Sequence, residues 1–472
     1  MNELKQAWSY REVKTGFLAT LLIAIGSLTP AYLPQSSPIW DILKALNLTG
    51  TPVKWIGTAI VFVGLLLLVD SWFRLRVDRQ LRHWAVLLIW SIPFLISPPI
   101  FSHDAYSYAA HGWLIHNGLS PYDVGPGVLP GAYADQVSWV WRFTTSPYGP
   151  LSLRMSYWLC WLTGFDAFWS AVLMRVPALI GVGLIGYFLP KIARLRGGDH
   201  YMTGWLGILN PILIIDFVGG AHNDALMVGL MVLAIWVACK TRWWILGAAV
   251  VGVAAAVKQP ALMTAVALPF LVEFWTSWRP KAVAVAAAKV IASLAVAIAV
   301  FAAVSLATGF GFGWLNAVDV PGMVITIAPF TVVGWWIQGV LGWAGLDPSG
   351  EIAMTVMRTI GLLIALGAIV YLGIRRLGRQ PLYFLSWSYL AVALCSPALH
   401  AWYALWGGVL LPLSKPSNRV ISIAVFSTLV MLCFAAINLS NRNEAGGLGL
   451  AIVAGIGWLF YTHRKKETAH VG

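Results

Sequence analysis

Long apolar segments separated by short polar stretches run along almost the whole chain. Fourteen of them are long and apolar enough to cross a lipid bilayer, which takes about 17 to 25 residues. Two more apolar stretches, 151–165 and 327–345, fit either short spans or helices lying on the membrane surface. The pattern predicts an all-α polytopic membrane protein of about 13 to 16 helices. The fourteen segments lie near 15–33, 54–73, 84–100, 167–190, 201–218, 223–240, 243–258, 260–277, 283–307, 353–374, 381–397, 400–414, 418–438 and 445–462.

Composition supports the same class of protein. Of 472 residues, 59% are hydrophobic and 10% are charged, whereas soluble domains carry roughly 25% charged residues. The excess apolar surface has to face lipid, so no soluble domain of useful size is predicted. The net charge of +13 does not favour a nucleic-acid partner, because the basic residues are scattered in short clusters between the apolar segments.

Those basic clusters predict the orientation in the membrane. With fourteen spans, all eight clusters fall on one side, from the first near residues 5–14 to the last near 464–466. Positive residues gather on the cytoplasmic side, so both termini are expected in the cytoplasm of a multi-pass plasma-membrane protein. This arrangement requires 151–165 and 327–345 to stay on the outer side without crossing.

The longest stretch that cannot be a membrane span is 101–150. We therefore divide a single integral-membrane domain into N-terminal transmembrane helices at 1–100, an extracytoplasmic loop with interfacial helices at 101–166, and the remaining bundle at 167–472. A long polar and aromatic loop is either a structured connection or the place where a membrane enzyme keeps its chemistry.

Four other polar stretches share the outer face with this loop. They are 219–224 (GGAHND), 258–260 (KQP), the region 308–352 and 396–403 (SPALHAWY). Because they are rich in His, Asp, Lys and Tyr, we expect them to form the walls of one outward-facing cavity, whose active site would be extracytoplasmic.

Asp104 lies about four residues beyond the third apolar segment. A carboxylate at this depth can accept a proton from a sugar hydroxyl, and partial burial is expected to raise its pKa toward the working pH. The alternative is that Asp104 caps a helix over 105–116, since Asp favours that position.

His222, Asn223 and Asp224 form a polar triplet at a turn between two spans. The triplet could bind a sugar or a metal, or orient another residue, and the alternative is that Asn223 and Asp224 cap the next helix. The sequence has no Asp-x-Asp motif and no second His at metal-ligand spacing near the triplet, so a divalent metal has little support and no cofactor is predicted.

Cations within or beside apolar segments are the candidates for binding a phosphate. Arg175 and Arg358 fall in the outer parts of their spans, and Lys258 at an outer end. Such residues are costly in lipid and usually face a partner or a cavity. Arg offers a planar fork to phosphate oxygens, and Lys offers a point charge. The alternative is that these long side chains extend to the membrane–water interface and bind no substrate.

His400 and Tyr403 flank Trp402 at another outer turn. Aromatic residues there commonly belong to the interfacial belt of a membrane protein. The alternative is that they stack on a sugar or on a prenyl chain.

Several of these motifs resemble those of a known superfamily. HDAYSYA at 103–109, GLSPY at 118–122 and SPYGPL at 146–151 resemble the first outer loop of the GT-C membrane glycosyltransferases. GAHNDALM at 220–227, KQP at 258–260 and the Trp402-Tyr403 pair are also similar. The resemblance is to the bacterial polyprenol-phosphate-mannose-dependent α-1,6-mannosyltransferases in particular.

This resemblance implies a GT-C-like helical bundle and an inverting glycosyltransferase. Its donor would be a polyprenyl-phosphate sugar, with mannose as the expected sugar, and its acceptor an extracytoplasmic glycan or glycolipid. Asp104 corresponds to the loop aspartate of the family, taken as the catalytic base, and His103, Tyr106 and Tyr122 to its substrate-binding rim. The alternative class is a flippase or transporter of lipid-linked sugars, but a transporter places its ionisable residues near the bilayer midplane.

Overall fold

The computed structural model describes residues 2–76, 81–317, 320, 326–346 and 351–469. One of the eight basic clusters, at 74–82, lies partly outside the described residues, as do parts of the polar region 308–352. The described chain is helical, and its 22 α-helices are numbered here in chain order.

The α-helices fall into four consecutive groups along the chain. Before the long loop come α1 (Asn2–Ser9), α2 (Arg11–Ser27), α3 (Ile39–Ala45), α4 (Thr51–Leu75) and α5 (His83–Ser91). The loop itself forms α6 (Asp104–His116), α7 (Ala132–Asp135), α8 (Trp139–Arg142) and α9 (Pro150–Leu162). The middle of the chain forms α10 (Ala167–Leu173), α11 (Arg175–Leu195), α12 (His200–Met202), α13 (Asp224–Thr241), α14 (Trp244–Val257), α15 (Met263–Val272) and α16 (Pro280–Ala307). The remainder forms α17 (Pro329–Trp343), α18 (Glu351–Leu372), α19 (Pro381–Cys395), α20 (Ala401–Gly408), α21 (Asn418–Arg442) and α22 (Gly446–Ala469).

Seven stretches of helix among the described residues are long and apolar enough to cross a membrane. They are Thr51–Leu75, Ala167–Leu195, Asp224–Thr241, Pro280–Ala307, Glu351–Leu377, Asn418–Arg442 and Gly446–Lys465. Shorter apolar helices lie at His83–Phe94, Trp244–Val257, Gln259–Val272 and Pro381–Cys395. The prediction of an all-α polytopic membrane protein is confirmed.

Two of the predicted spans are broken. The segment 201–218 consists of two π-helical pieces, Thr203–Ile208 and Leu213–Gly219, within helices that meet at 57°. Pro211 stands at the break, where it lacks an N–H and obstructs the preceding turn. The side chain of Asn210 accepts a hydrogen bond from the Ile212 N–H at 2.9 Å and so satisfies one of the freed backbone groups. The segment 400–414 forms only the eight-residue α20 and a short 3₁₀ turn at Leu411–Ser414.

Helix α13 lies at the centre of the bundle. In its most apolar window 67% of the residues are buried, compared with 17% in α18 and in α22, which face outward. It packs backbone to backbone against α11, because a Cβ at Gly181 would lie 2.1 Å from the carbonyl oxygen of Ala225. Asp224, the first residue of α13, is therefore held in the interior at one end of the bundle.

The long loop is docked firmly at that same end. The Gly149 N–H donates to the carbonyl of Val257 at 3.0 Å, and a Cβ at Gly149 would lie 2.2 Å from the carbonyl oxygen of Ala256. Since Val257 ends α14, this contact places the loop directly beside Lys258. We call this end of the bundle, which carries residues 101–166, the loop end.

Candidate active site

Helix α6 presents the candidate base at its first residue. Asp104, Ser107 and His111, spaced by three and four residues, lie on one face of α6 and line the same cavity. The capping alternative is wrong, because His103 occupies the N-cap position and no side-chain capping bond is formed there. The Asp104 carboxylate is thus available to other groups.

Three side chains surround the Asp104 carboxylate. The hydroxyl of Tyr148 donates to its Oδ2 at 3.3 Å, and the hydroxyl of Tyr108 shares its single proton between this oxygen at 3.4 Å and Oδ1 of Asn223 at 3.2 Å. Nδ1 of His222 lies 3.4 Å from the same oxygen, an ion-pair distance without the alignment of a hydrogen bond. The Asp104 side chain remains 16% exposed, so the carboxylate is held in place but open to the cavity.

The charge state of Asp104 differs from the expectation. Burial by itself raises the pKa of this carboxyl, but the interaction with His222 and the positive potential of His400 and Lys258 outweigh burial and hold the pKa well below its usual range. The predicted rise of the pKa toward the working pH is wrong, because the sequence did not reveal how many donors and cations would meet at one carboxylate.

The polar triplet 222–224 connects Asp104 to the surrounding side chains. His222 stacks on Trp402 with ring centroids 3.8 Å apart, and the other face of Trp402 stacks on His400 at 4.4 Å. Asn223 accepts a hydrogen bond from Tyr108 at 3.2 Å and donates to Ser152 at 3.0 Å. Asn223 occupies the N-cap position of α13, as the capping alternative predicts, but its side chain makes no cap bond there.

Asp224 and Lys258 form a buried ion pair beside this group. Nζ of Lys258 lies 2.9 Å from both carboxylate oxygens of Asp224, and the indole N–H of Trp406 donates to Oδ1 at 2.7 Å. The Tyr403 ring lies 4.6 Å from Nζ and packs against Trp406. The charge of Lys258 is therefore largely neutralised by a partner within the protein.

These groups share one cavity of about 490 Å³ at the loop end. Its walls come from the long loop, from 258–260, from the described part of 308–352 and from 396–403, while His222 contacts Asp104 from 219–224. Four of the five polar stretches therefore line one cavity, whereas 219–224 does not line it and reaches the site only through the contact of His222 with Asp104. Asp104, Lys258, His400 and Tyr403 line the cavity.

The other predicted site residues lie outside the lining of this cavity. His103 and Tyr106 line a second cavity of about 690 Å³ on the opposite side of α6. The buried Tyr122 donates to the carbonyl of Tyr148 at 2.8 Å and so supports that residue from outside. Their roles with substrate stay predictions.

The two arginines predicted to bind a phosphate also do not line the cavity. Arg175, 1% exposed, donates to the carbonyls of Val218, Ser97 and Gly219 at 2.8, 2.8 and 3.2 Å. Nε of Arg358 donates to Thr331 at 3.3 Å, and the Thr331 hydroxyl donates to the cavity-lining Pro397 at 2.6 Å. Arg175 thus holds the end of the broken segment 201–218 in place, and phosphate contact by either arginine stays a prediction.

Several residues of the site were not singled out from the sequence. Tyr108, Tyr148 and Trp406 contact the buried carboxylates, and His111 lines the cavity. The available signal was their place inside the polar motifs, since Tyr148 lies in SPYGP and Trp406 one helical turn beyond Trp402. Among the described residues, no three His, Cys, Asp or Glu side chains are grouped so as to hold a metal ion.

Comparison with known proteins identifies the family of the chain. A family model described as alpha-(1->6)-mannopyranosyltransferase, N-terminal domain, matches residues 13–277, and one described as MptB C-terminal domain matches residues 330–462. The chain belongs to the alpha-(1->6)-mannopyranosyltransferase family. It is therefore a multi-pass membrane protein of the mannosyltransferase class, and the predictions of a membrane glycosyltransferase and of this family are confirmed.

Similar proteins include members of this family from Mycobacterium tuberculosis and Corynebacterium glutamicum. The chain is 32% identical over 437 residues to alpha-(1->6)-mannopyranosyltransferase A of Mycobacterium tuberculosis, covering 89% of this chain and 84% of the relative. It is 27% identical over 381 residues to alpha-(1->6)-mannopyranosyltransferase A of Corynebacterium glutamicum, covering 74% and 76%. No solved structure matches the chain significantly.

Proposed function

We propose that this protein is an inverting GT-C glycosyltransferase that moves mannose from a polyprenyl-phosphate donor to a glycan or glycolipid acceptor, forming an α-1,6 linkage, on the outer face of the plasma membrane. The observation that carries the proposal is the Asp104 carboxylate, ionised and open to a cavity at the end of a membrane bundle. Family membership supports mannose and the linkage.

A single displacement fits the groups around the cavity. The acceptor hydroxyl gives its proton to the Asp104 carboxylate while its oxygen bonds to the anomeric carbon. The bond from that carbon to the phosphate oxygen breaks on the opposite face, and its electron pair leaves with the polyprenyl phosphate. The configuration at the anomeric carbon inverts, through an oxocarbenium-like transition state.

The low pKa of Asp104 is compatible with this role. A phosphate brought into the cavity is a like charge, and like charges raise the pKa of a carboxyl. Donor binding would therefore make Asp104 a stronger base when the acceptor arrives. Tyr108 and Tyr148 contact its Oδ2 and so fix the position of the carboxylate.

Sugar chemistry also suits the aromatic walls. Tyr403 is an amphipathic ring that lines the cavity and can pack against a sugar, and His400, which lies parallel to Trp402 with an interplanar angle of 8°, presents a second ring there. The ionisable groups lie at one end of the bundle around Asp104, which favours an enzyme over the transporter alternative.

The deciding experiment compares the wild type with Asp104→Asn in membranes supplied with polyprenyl-phosphate mannose, polyprenyl-phosphate glucose or a nucleotide-linked mannose. We expect mannose transfer from the first donor only, an α-1,6 product, and a loss of at least about 100-fold in turnover for the variant. Asp135→Asn, an exposed carboxylate in the same loop, is the control. Near-normal turnover by Asp104→Asn would remove Asp104 as the base, and wild-type use of the nucleotide donor alone would refute the donor class.

A further inference from the structure

The cavity contains little free positive charge for a phosphate. Among the described residues that line it, Lys258 is the only Lys or Arg. Its ammonium already faces both oxygens of Asp224 at 2.9 Å, in a site where Lys258 is 9% exposed and Asp224 fully buried. A phosphate there would meet a neutralised pair rather than an unpaired cation.

The same cavity holds an unusual concentration of unsatisfied nitrogen atoms. Buried side-chain nitrogens without a hydrogen-bond partner among the described residues belong to four of the lining residues, namely His111, Gln259, Trp314 and Trp402. Leaving such a group unpaired destabilises the folded protein, because the group loses the hydrogen bond that it makes to water in the unfolded chain. Such groups are few in native proteins, and each calls for an explanation such as a bound water, an ion or a ligand.

Gln259 belongs to the lysine side of the cavity, and Trp314 lines the same cavity. Gln259 is the neighbour of Lys258 in the chain and carries an unpaired Nε2, and Trp314 carries an unpaired indole N–H. The Tyr148 ring separates this side from Asp104, since its hydroxyl lies 3.3 Å from the carboxylate and its centroid 6.0 Å from Nζ of Lys258. A sugar over Tyr148 would therefore direct its phosphate toward Gln259 and its attacked face toward Asp104.

We propose that Gln259 and Trp314 bind the donor's phosphate through neutral N–H groups, and that these dipoles, rather than an arginine fork, receive the charge that develops when the sugar leaves. The inference rests on the proposed function. When the anomeric carbon–oxygen bond breaks, the phosphodiester monoanion becomes a phosphomonoester with more negative charge on its oxygens. Donors fixed in place before the reaction stabilise such charge without reorganising. An arginine near Asp104 would lower the pKa of its carboxyl and so make it a weaker base. Neutral donors carry no net charge and leave Asp104 ionised without this loss of basicity.

Trp314→Phe and Gln259→Met test the assignment, because each removes the N–H while keeping most of the side-chain volume. We expect kcat/KM for polyprenyl-phosphate mannose to fall roughly tenfold or more in each variant, with the KM of the acceptor unchanged. The inhibition constant of the product, polyprenyl phosphate, should rise by a similar factor. Product inhibition reports phosphate binding without the chemical step.

Trp387→Phe is the matched control. Its indole N–H is also buried without a partner, but Trp387 lines a separate apolar cavity among α18, α19, α20 and α21. We expect its kinetics to equal those of the wild type. Three outcomes would each overturn the assignment. The first is an equal loss in Trp387→Phe, and the second is that the kinetics of Trp314→Phe and Gln259→Met stay within about twofold of the wild type. The third is a rise in the acceptor KM instead of a rise in the inhibition constant of polyprenyl phosphate. If the wild type does not use the polyprenyl-phosphate donor, the proposed function itself is refuted. If the wild type uses it but the Trp314→Phe and Gln259→Met variants behave like the wild type, only this inference is refuted.

Discussion

Lys258 reaches across the loop end of the bundle to Asp224, placing its Nζ 2.9 Å from each carboxylate oxygen. The two residues are 34 positions apart in the chain and come from different helix ends. The pair anchors the start of α13 to the end of α14, directly beside Tyr403 and Trp406. It therefore sets the geometry of one cavity wall.

Asp224→Asn should destabilise the protein strongly, because it leaves the Lys258 ammonium buried without a counter-charge. Breaking a buried ion pair in this way costs about 3 to 5 kcal/mol. The measurement is thermal unfolding of the detergent-solubilised protein. Asp135→Asn is the control, since its ion pair with Arg142 is exposed and long at 3.8 Å and such pairs contribute at most about 1 kcal/mol.

A double variant, Asp224→Asn with Lys258→Met, checks the cause of that loss. Removing the ammonium together with the carboxylate removes the uncompensated charge, so part of the stability should return. If Asp224→Asn alone melts like the wild type, the pair does not hold the two helix ends together.

Arg175→Gln should reduce stability rather than donor recognition. Its guanidinium donates to three backbone carbonyls around the end of the broken segment 201–218, and leaving them unpaired costs about 3 kcal/mol or more. We expect a lower melting temperature and lower yield, with the KM values for donor and acceptor changed by no more than about twofold.

Arg175→Lys separates this role from phosphate binding. Lysine keeps the positive charge but lacks the fork that reaches several carbonyls at once. If Arg175 is structural, Arg175→Lys is destabilised like Arg175→Gln. If Arg175→Gln folds normally and raises the donor KM while Arg175→Lys does not, the sequence-based prediction of a phosphate ligand is correct instead.

His111 should make stability depend on pH. Burial lowers the pKa of His111 from 6.5 to about 4, with Asp104 opposing the shift. Between these two pH values the unfolded chain binds a proton that the folded protein does not, so stability rises with pH across this window and is lost on acidification. The contribution is up to about 3 kcal/mol. The pKa of Asp104 is also lowered. Protonation of Asp104 therefore removes further stability as the pH falls below the range in which His111 is protonated.

The measurement is the melting temperature between pH 7 and 4 for the wild type, His111→Gln and His116→Gln. His111→Gln should flatten part of the dependence between pH 6.5 and 4. His116, exposed on the same helix, serves as the control and should leave the dependence intact. An identical dependence in all three proteins would mean that protonation of His111 is not coupled to folding.

The membrane class, the helical fold and the candidate base were all predictable from the sequence alone. Lipid requires long apolar segments whose backbone groups pair internally, so local composition was sufficient to place most of the helices. The polar motifs identified the chemistry for a similar reason, because polar residues are costly beside lipid and are concentrated where function needs them. The break in 201–218 also has a cause that is visible in the sequence, namely Pro211. The angle between the two pieces is not predictable from the sequence.

Only the tertiary structure decided which of those polar residues meet. It placed Tyr148 on Asp104 and Trp402 between His222 and His400, and it assigned Lys258 to Asp224 and Arg175 to backbone carbonyls. It also reversed the expected direction of the pKa shift of Asp104. These outcomes depend on distances of a few ångströms between helix ends far apart in the chain. Such distances follow from the packing of the whole bundle, to which any one segment contributes only a small part.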